Sequence, residues 1–234
     1  MSTYSPALSI ATAAFELGAA AWALRGPGRP EVLRPLALLL VLLAGYQVAE
    51  VFVCAAPHDV FWARVAFADV VWLPPVGWLL LLRLARPERR RWGHLTAGAF
   101  AIAGFFTVWV FADPRFVTGS VCQAVFASYT HPTLALEAYG AFYHLGLWGM
   151  IGGGIAALVH LDGPRERAHV ADFLAGTVTF VVLALTTEVV YAPARDATPS
   201  IMCHYALALA IFLARVIWRE RRSHGQALAA AYQH

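Results

Sequence analysis

Seven apolar stretches dominate this chain, at approximately 5–24, 33–54, 59–83, 94–112, 134–159, 169–191 and 199–218. Each has roughly the 20 residues that a helix needs to cross hydrocarbon. Lipid offers the backbone no hydrogen-bond partner, so such segments must be helical. The predicted fold is therefore an all-α membrane protein, a single seven-helix transmembrane bundle over 1–218, with 219–234 as a short basic tail. Composition agrees: the 234 residues are 60% hydrophobic and 13% charged, where a soluble domain carries about 25% charged residues. Pro74-Pro75 should kink the third span and free backbone carbonyls. The fifth span holds Gly146, Gly149, Gly152, Gly153 and Gly154, which permit close helix approach.

Arginine placement sets the expected orientation. All 17 basic residues are Arg, which excludes a retinal Schiff base and any Lys nucleophile. Arg25, Arg29 and Arg34 follow the first span, Arg83, Arg86, Arg89, Arg90 and Arg91 the third, Arg165 and Arg167 the fifth, and Arg215, Arg219, Arg221 and Arg222 the seventh. The opposite side has Arg64, Arg115 and Arg195. By the positive-inside rule the N-terminus lies outside and the C-terminus in the cytoplasm. The basic clusters sit beside spans, so they point to membrane lipid and not to nucleic acid. No basic stretch precedes the first apolar segment, so the N-terminus does not read as a cleaved signal peptide.

Ionisable residues inside spans are costly and mark a functional site by default. They concentrate around Gly45 to Pro75, where two spans meet at the corner Pro57-His58-Asp59. At 1.5 Å per residue, Glu50, Arg64, Glu137, Glu188 and His204 fall in the outer half, with Glu16, Asp69 and His144 deeper. The inner half reads as comparatively bare, with Asp172 near its edge, so any cavity is expected to open outward. Glu137 and His144 are seven residues apart and share a face; Asp172, Thr179 and Thr186 form a second polar stripe. Arg64 is expected to meet a carboxylate from span two, five or six.

Three readings of this set stand together. Buried charges can pair off to hold helix register. An outward-facing pocket can hold a small ligand, lined by Glu50, Arg64, Asp69, Glu137, Tyr143, His144, Glu188 and His204, with Tyr46, Tyr139, Tyr191 and Tyr205 as further hydroxyls. There Arg64 would meet an anionic group, and His144 and His204 would exchange protons. A metal centre is the third reading, from Glu50, Glu137, His144, Glu188 and His204. Among these five residues there is neither Glu-x-x-His nor His-x-x-x-His spacing. The remaining histidines (His58, His94, His131, His160, His169, His224 and His234) fall at loops, span edges or the tail.

Cys54 ends span two and Cys122 lies in the connection from Asp113 to Pro132, so a bridge between them is expected on the outer side. Cys203 reads as a small buried hydrophobe. The Asp113–Pro132 connection is half apolar, through Phe116, Val117, Val121, Val125, Phe126 and Tyr129, and reads either as a lid over a site or as a plug or interface loop.

Spans one to three carry Arg34-Pro-Leu-Ala-Leu-Leu-Leu, Tyr46 to Phe52, Phe61-Trp-Ala-Arg-Val-Ala-Phe, Trp72-Leu-Pro-Pro-Val-Gly-Trp and Leu81-Leu-Arg-Leu-Ala-Arg. In these the chain resembles the seven-span N-terminal sensor region of bacterial histidine kinases, here without the kinase. The resemblance covers about the first half and implies a bundle in the bacterial cytoplasmic (inner) membrane that senses a signal at its outer side or within the membrane. It supplies no catalytic residues.

The expected function is thus a sensor-like binding module that holds a small ligand or cofactor and acts through a membrane protein partner or a second copy. An accessory subunit of a larger complex, using the glycine face of the fifth span, is one alternative. A membrane metalloenzyme is the other.

Overall fold

The computed structural model describes residues 4–56, 59–85, 89–124, 126–130, 134–191 and 197–231. Pro57, His58, Arg86, Val125, His131, Pro132, Arg195 and His234 lie outside the described residues. The elements are α1 (Ala7–Leu24), α2 (Pro30–Ala55), α3 (Val60–Val70), α4 (Leu73–Ala85), α5 (Arg89–Ala112), β1 (Gly119–Cys122), β2 (Ala127–Thr130), α6 (Leu134–His160), α7 (Pro164–Val190) and α8 (Thr198–Ala231). α3 and α4 are halves of one apolar stretch, Val60–Ala85, so among the described residues seven stretches are long and apolar enough to cross a membrane.

The break between α3 and α4 lies at Val71-Trp72. Trp72 N–H turns back to the Asp69 carbonyl at 3.2 Å, and α4 restarts with Pro74 and Pro75 in its first turn, where a missing N–H costs little. The expected kink is present. The Phe67 carbonyl at this break accepts a 2.6 Å hydrogen bond from Tyr139 of α6.

α2 lies against α1, α3, α4 and α8; α7 pairs with α8, and α6 packs on α4 and α7. α5 sits at the edge against α3 and α4. Leu36, Leu40, Leu43, Leu80, Leu84, Leu213 and Ile217 are almost wholly buried between the helices, whereas Leu134, Leu145, Val159 and Val190 point outward and are strongly exposed. An apolar core within an apolar outer face suits a hydrocarbon solvent.

The glycines of α6 explain its close approach to its neighbours. A Cβ on Gly146 would collide with Pro74 Cβ, and Cβ atoms on Gly149 and Gly153 would each lie 2.9 Å from the Trp78 ring. Gly154 faces Leu174 in the same way at 3.1 Å. The close approach predicted from the glycine run is therefore made within the chain. Gly152 of the same run has open space at its Cβ.

The segment from 219 onward, expected as a short basic tail, is helical: α8 continues to Ala231, and Glu220 within it is fully buried. The 113–132 connection contains a β-hairpin, with Gly119 opposite Thr130 and Cys122 opposite Ala127. Phe116, Val117, Phe126, Ala127 and Tyr129 are buried against the helix ends, so the hairpin plugs the bundle. Cys54 and Cys122 form a disulfide that ties β1 to the end of α2. The bundle thus has a hairpin end and an arginine-rich end.

Candidate functional site

Polar side chains collect beneath the hairpin because one face of α1 and facing positions of α2 and α8 are polar at helical spacing. Ser9, Thr12 and Glu16 of α1 recur every three to four residues and are all buried. Glu50 of α2 is the centre of this set and is wholly buried. Its Oε1 accepts from Tyr4 at 3.1 Å and from Ser9 at 3.5 Å, and its Oε2 accepts from the Ser200 hydroxyl. Ser200 Oγ in turn accepts the Ala127 backbone N–H of β2 at 3.1 Å. His204 Nδ1 donates to the Ser200 carbonyl at 2.7 Å, which turns Nε2 toward Glu50 Oε1 at 3.9 Å. Burial, followed by the charge of Glu50, pushes the Tyr4 phenol up to about 12, so Tyr4 stays a donor. The Tyr129 phenol, hydrogen-bonded to Tyr46 at 3.1 Å, is likewise pushed well up by burial first and Glu50 second.

This arrangement is not a nucleophilic triad. The Ser200 hydroxyl faces a carboxyl, and the imidazole bonds to its own helix. Glu50 instead cross-links α1, α2, α8 and the hairpin. That matches the reading in which buried polar groups hold register.

Deeper in the bundle, Glu16 is fully buried with neither oxygen hydrogen-bonded among the described residues. Asp69 of α3 lies against α2 at Gly45, where a Cβ would come within 2.7 Å of Oδ1. Gln47 donates to the Cys203 carbonyl.

The open space lies elsewhere. A cavity of about 150 Å³ sits between α3, α6, the start of α8 and β2, lined by Phe67, Val70, Tyr129, Leu136, Tyr139, Gly140, Tyr143, His144, Thr198, Pro199 and Met202. His144 Nδ1 donates to the Gly140 carbonyl at 2.7 Å, so a neutral ring keeps Nε2 as an acceptor. His144 and Met202 also border a smaller void of about 20 Å³ that includes Glu188.

Of the predicted pocket residues, Tyr143 and His144 line the 150 Å³ cavity, and Glu188 joins His144 at the smaller void. The others lie apart. Glu50 and His204 are taken up by the cross-link under the hairpin, and Asp69 faces α2. Glu137 is exposed on α6. Arg64 donates to the Pro114 carbonyl at 3.2 Å and meets no carboxylate among the described residues. The metal set Glu50, Glu137, His144, Glu188 and His204 does not converge: among the described residues no three His, Cys, Asp or Glu side chains are grouped to hold an ion. One spacing rule locates residues on a helix, but neighbouring helices choose which face is inside. Tyr139, expected as one of the pocket hydroxyls, also lines the cavity; Met202 was legible only as an apolar-face residue, and Gly140 carried no signal.

The arginine-rich end, expected to be bare, holds a second buried centre. Glu220 accepts from Arg29 through the backbone N–H at 3.0 Å, Nε at 2.8 Å and Nη2 at 2.9 Å, and from Arg165 Nη2 at 3.0 Å. His169 Nε2 lies 3.8 Å from it. Gly28, at φ +146°, makes the turn that aims Arg29 at Glu220; this left-handed region favours glycine. Asp172 meets Arg215 at 3.3 Å and Arg219 at 2.6 Å. Glu220 was missed because it stands among Arg219, Arg221 and Arg222, where a basic tail is the simpler reading.

Fold and interior together define a multi-pass helical membrane protein, with a plugged end, a tyrosine-lined cavity beneath it and an arginine–carboxylate centre at the far end. No family model matches the chain, and no curated protein matches it.

Proposed function

We propose that this protein is a sensor-like membrane binding module that holds a small amphipathic molecule, an aromatic ring bearing one polar group, in the cavity between α3, α6, α8 and the hairpin. The cavity itself carries this reading. At about 150 Å³ it has the size of an engineered site that accepts a single benzene ring. Its walls are mostly apolar and aromatic, with the His144 ring and tyrosines at its edge, the usual composition of a small-molecule site. In the proposed orientation the N-terminus and the disulfide-bonded hairpin lie outside and the arginine-rich end is cytoplasmic. Two observations support it: arginines gather at one end, and the bridge at the other suits an oxidising compartment. The bacterial inner membrane is the proposed location. The module acts through a membrane protein partner or a second copy, as the resemblance to kinase sensor regions implies.

Phenol is the first probe. It should raise the unfolding temperature of the detergent-solubilised wild type. Gly140→Leu should abolish that shift, because Gly140 lines the cavity and a Cβ there meets nothing within 4 Å. A wild type unresponsive to phenol and indole, or a Gly140→Leu variant that still responds, would remove the reading.

A further inference from the structure

The arginine-rich end carries an unassigned groove of about 460 Å³ between the start of α7 and the end of α8. Arg165 and His169 form one wall; Trp218, Arg219, Arg222 and Ser223 form the other. Its charge is unbalanced. Arg29 and Arg165 share Glu220, and Arg215 and Arg219 share Asp172. Arg222 lies over the Trp218 ring at 5.3 Å and adds a fifth guanidinium to Glu220, Asp172 and the nearby Glu166, whose charge acts on Arg29 and His169.

Its donors are also incompletely used. His169 is only 1% exposed, yet its Nδ1 has no hydrogen-bond partner among the described residues. The Nε atoms of Arg165 and Arg219 are unpartnered as well; Arg219 Nε approaches Asp172 closely but without hydrogen-bond alignment. The groove also takes in Pro164 at the start of α7, the positive end of a 27-residue helix, with Glu166 as the acid of its first turn.

We propose that this groove binds the phosphate of an anionic phospholipid headgroup. Arg222 and Arg219 meet the phosphate oxygens, and His169 Nδ1 supplies a further hydrogen bond; the Ser223 hydroxyl already donates to the Arg219 carbonyl at 2.9 Å. Position favours lipid over a soluble phosphate ester. Trp218 is half exposed where α8 leaves its apolar stretch, the level at which aromatic belts and headgroups meet. Basic pockets between spanning helices bind such headgroups generally. Their occupation would join α7 to α8 and cover the Glu220 and Asp172 centres.

The test uses the full chain in nanodiscs of equal phosphatidylglycerol and phosphatidylcholine, released for native mass spectrometry. Wild type should retain phosphatidylglycerol in preference to phosphatidylcholine. Arg222→Gln removes a guanidinium that no carboxylate holds among the described residues, and should weaken retention about fivefold. His169→Gln should weaken it as well, and Arg222→Gln keeps the test decisive if His169→Gln fails to fold. Arg25→Gln, an exposed arginine at the same end outside the groove, should leave retention unchanged. Equal retention of both lipids, or an Arg25→Gln loss as large as that of Arg222→Gln, overturns the site. Glycerol phosphate that displaces the lipid at equal concentration overturns the choice of lipid as occupant.

Discussion

Glu50 shows how much one side chain can join. Tyr4, Ser9 and Ser200 all donate to it, so they tie the chain before α1, α1 itself and α8 to α2. Glu50→Ala leaves three buried hydroxyls without their acceptor and should cost on the order of 3 kcal/mol. Glu50→Gln keeps an acceptor oxygen and should cost distinctly less. Unfolding in micelles, followed by tryptophan fluorescence, measures both. Tyr4 adds a signed pH dependence. Its folded value lies at about 12 against an ordinary 10.0, so its contribution is complete below pH 10.0 and is lost as pH rises through about 12. Wild type should lose stability in that window that Tyr4→Phe does not lose. Glu50 itself was legible in the sequence as a functional or cross-linking acid. Its partners Tyr4, Ser9 and Ser200 were not, because a hydroxyl in or near a span has no required depth or direction until another helix faces it.

At the scale of the element, α6 shows how glycine works between helices. Gly146 faces rigid Pro74 at the start of α4, whereas Gly152 has open space at its Cβ. Gly146→Ala must therefore push α6 away from α4 and should cost about 1–3 kcal/mol. Gly152→Ala should be neutral, or stabilising by up to about 1 kcal/mol through helix propensity. Paired melting curves test the contrast, and equal effects would contradict this packing. The glycine run announced close approach in the sequence. Which helix approached was undecided, since any apolar span could present a flat ring such as Trp78. The hairpin was less legible still. Residues 113–132 show mixed apolar and polar character, and two four-residue strands are too short for alternation to stand out.

Across the whole molecule, the Cys54–Cys122 bridge closes 68 residues of chain and fastens the plug to the bundle. Chain entropy places its value at about 4 kcal/mol. The Cys54→Ala/Cys122→Ala double variant should lose stability of that order and expose the hairpin to limited proteolysis. A thiol titration in denaturant without reductant should count one thiol per chain, from Cys203, and three after reduction. Three thiols before reduction would break the proposed link between the hairpin and an oxidising compartment. The two charged centres also divide the molecule. One carboxyl cross-links the hairpin end and the other gathers arginines at the far end, with the leucine layer of Leu36, Leu40 and Leu213 between them.

The seven apolar stretches, the break before Pro74-Pro75 and the cysteine pair follow from the chain alone. Each depends on local quantities: the length of an apolar run, a missing N–H, or two thiols expected on the same side of a membrane. The tertiary structure alone decided which polar residues meet. Glu50 and His144 both carry ionisable side chains inside spanning helices, yet helix rotation sends Glu50 into a cross-link and His144 to a cavity. Rotation is set by side-chain packing summed over several neighbours, and that sum exists only once the helices are together.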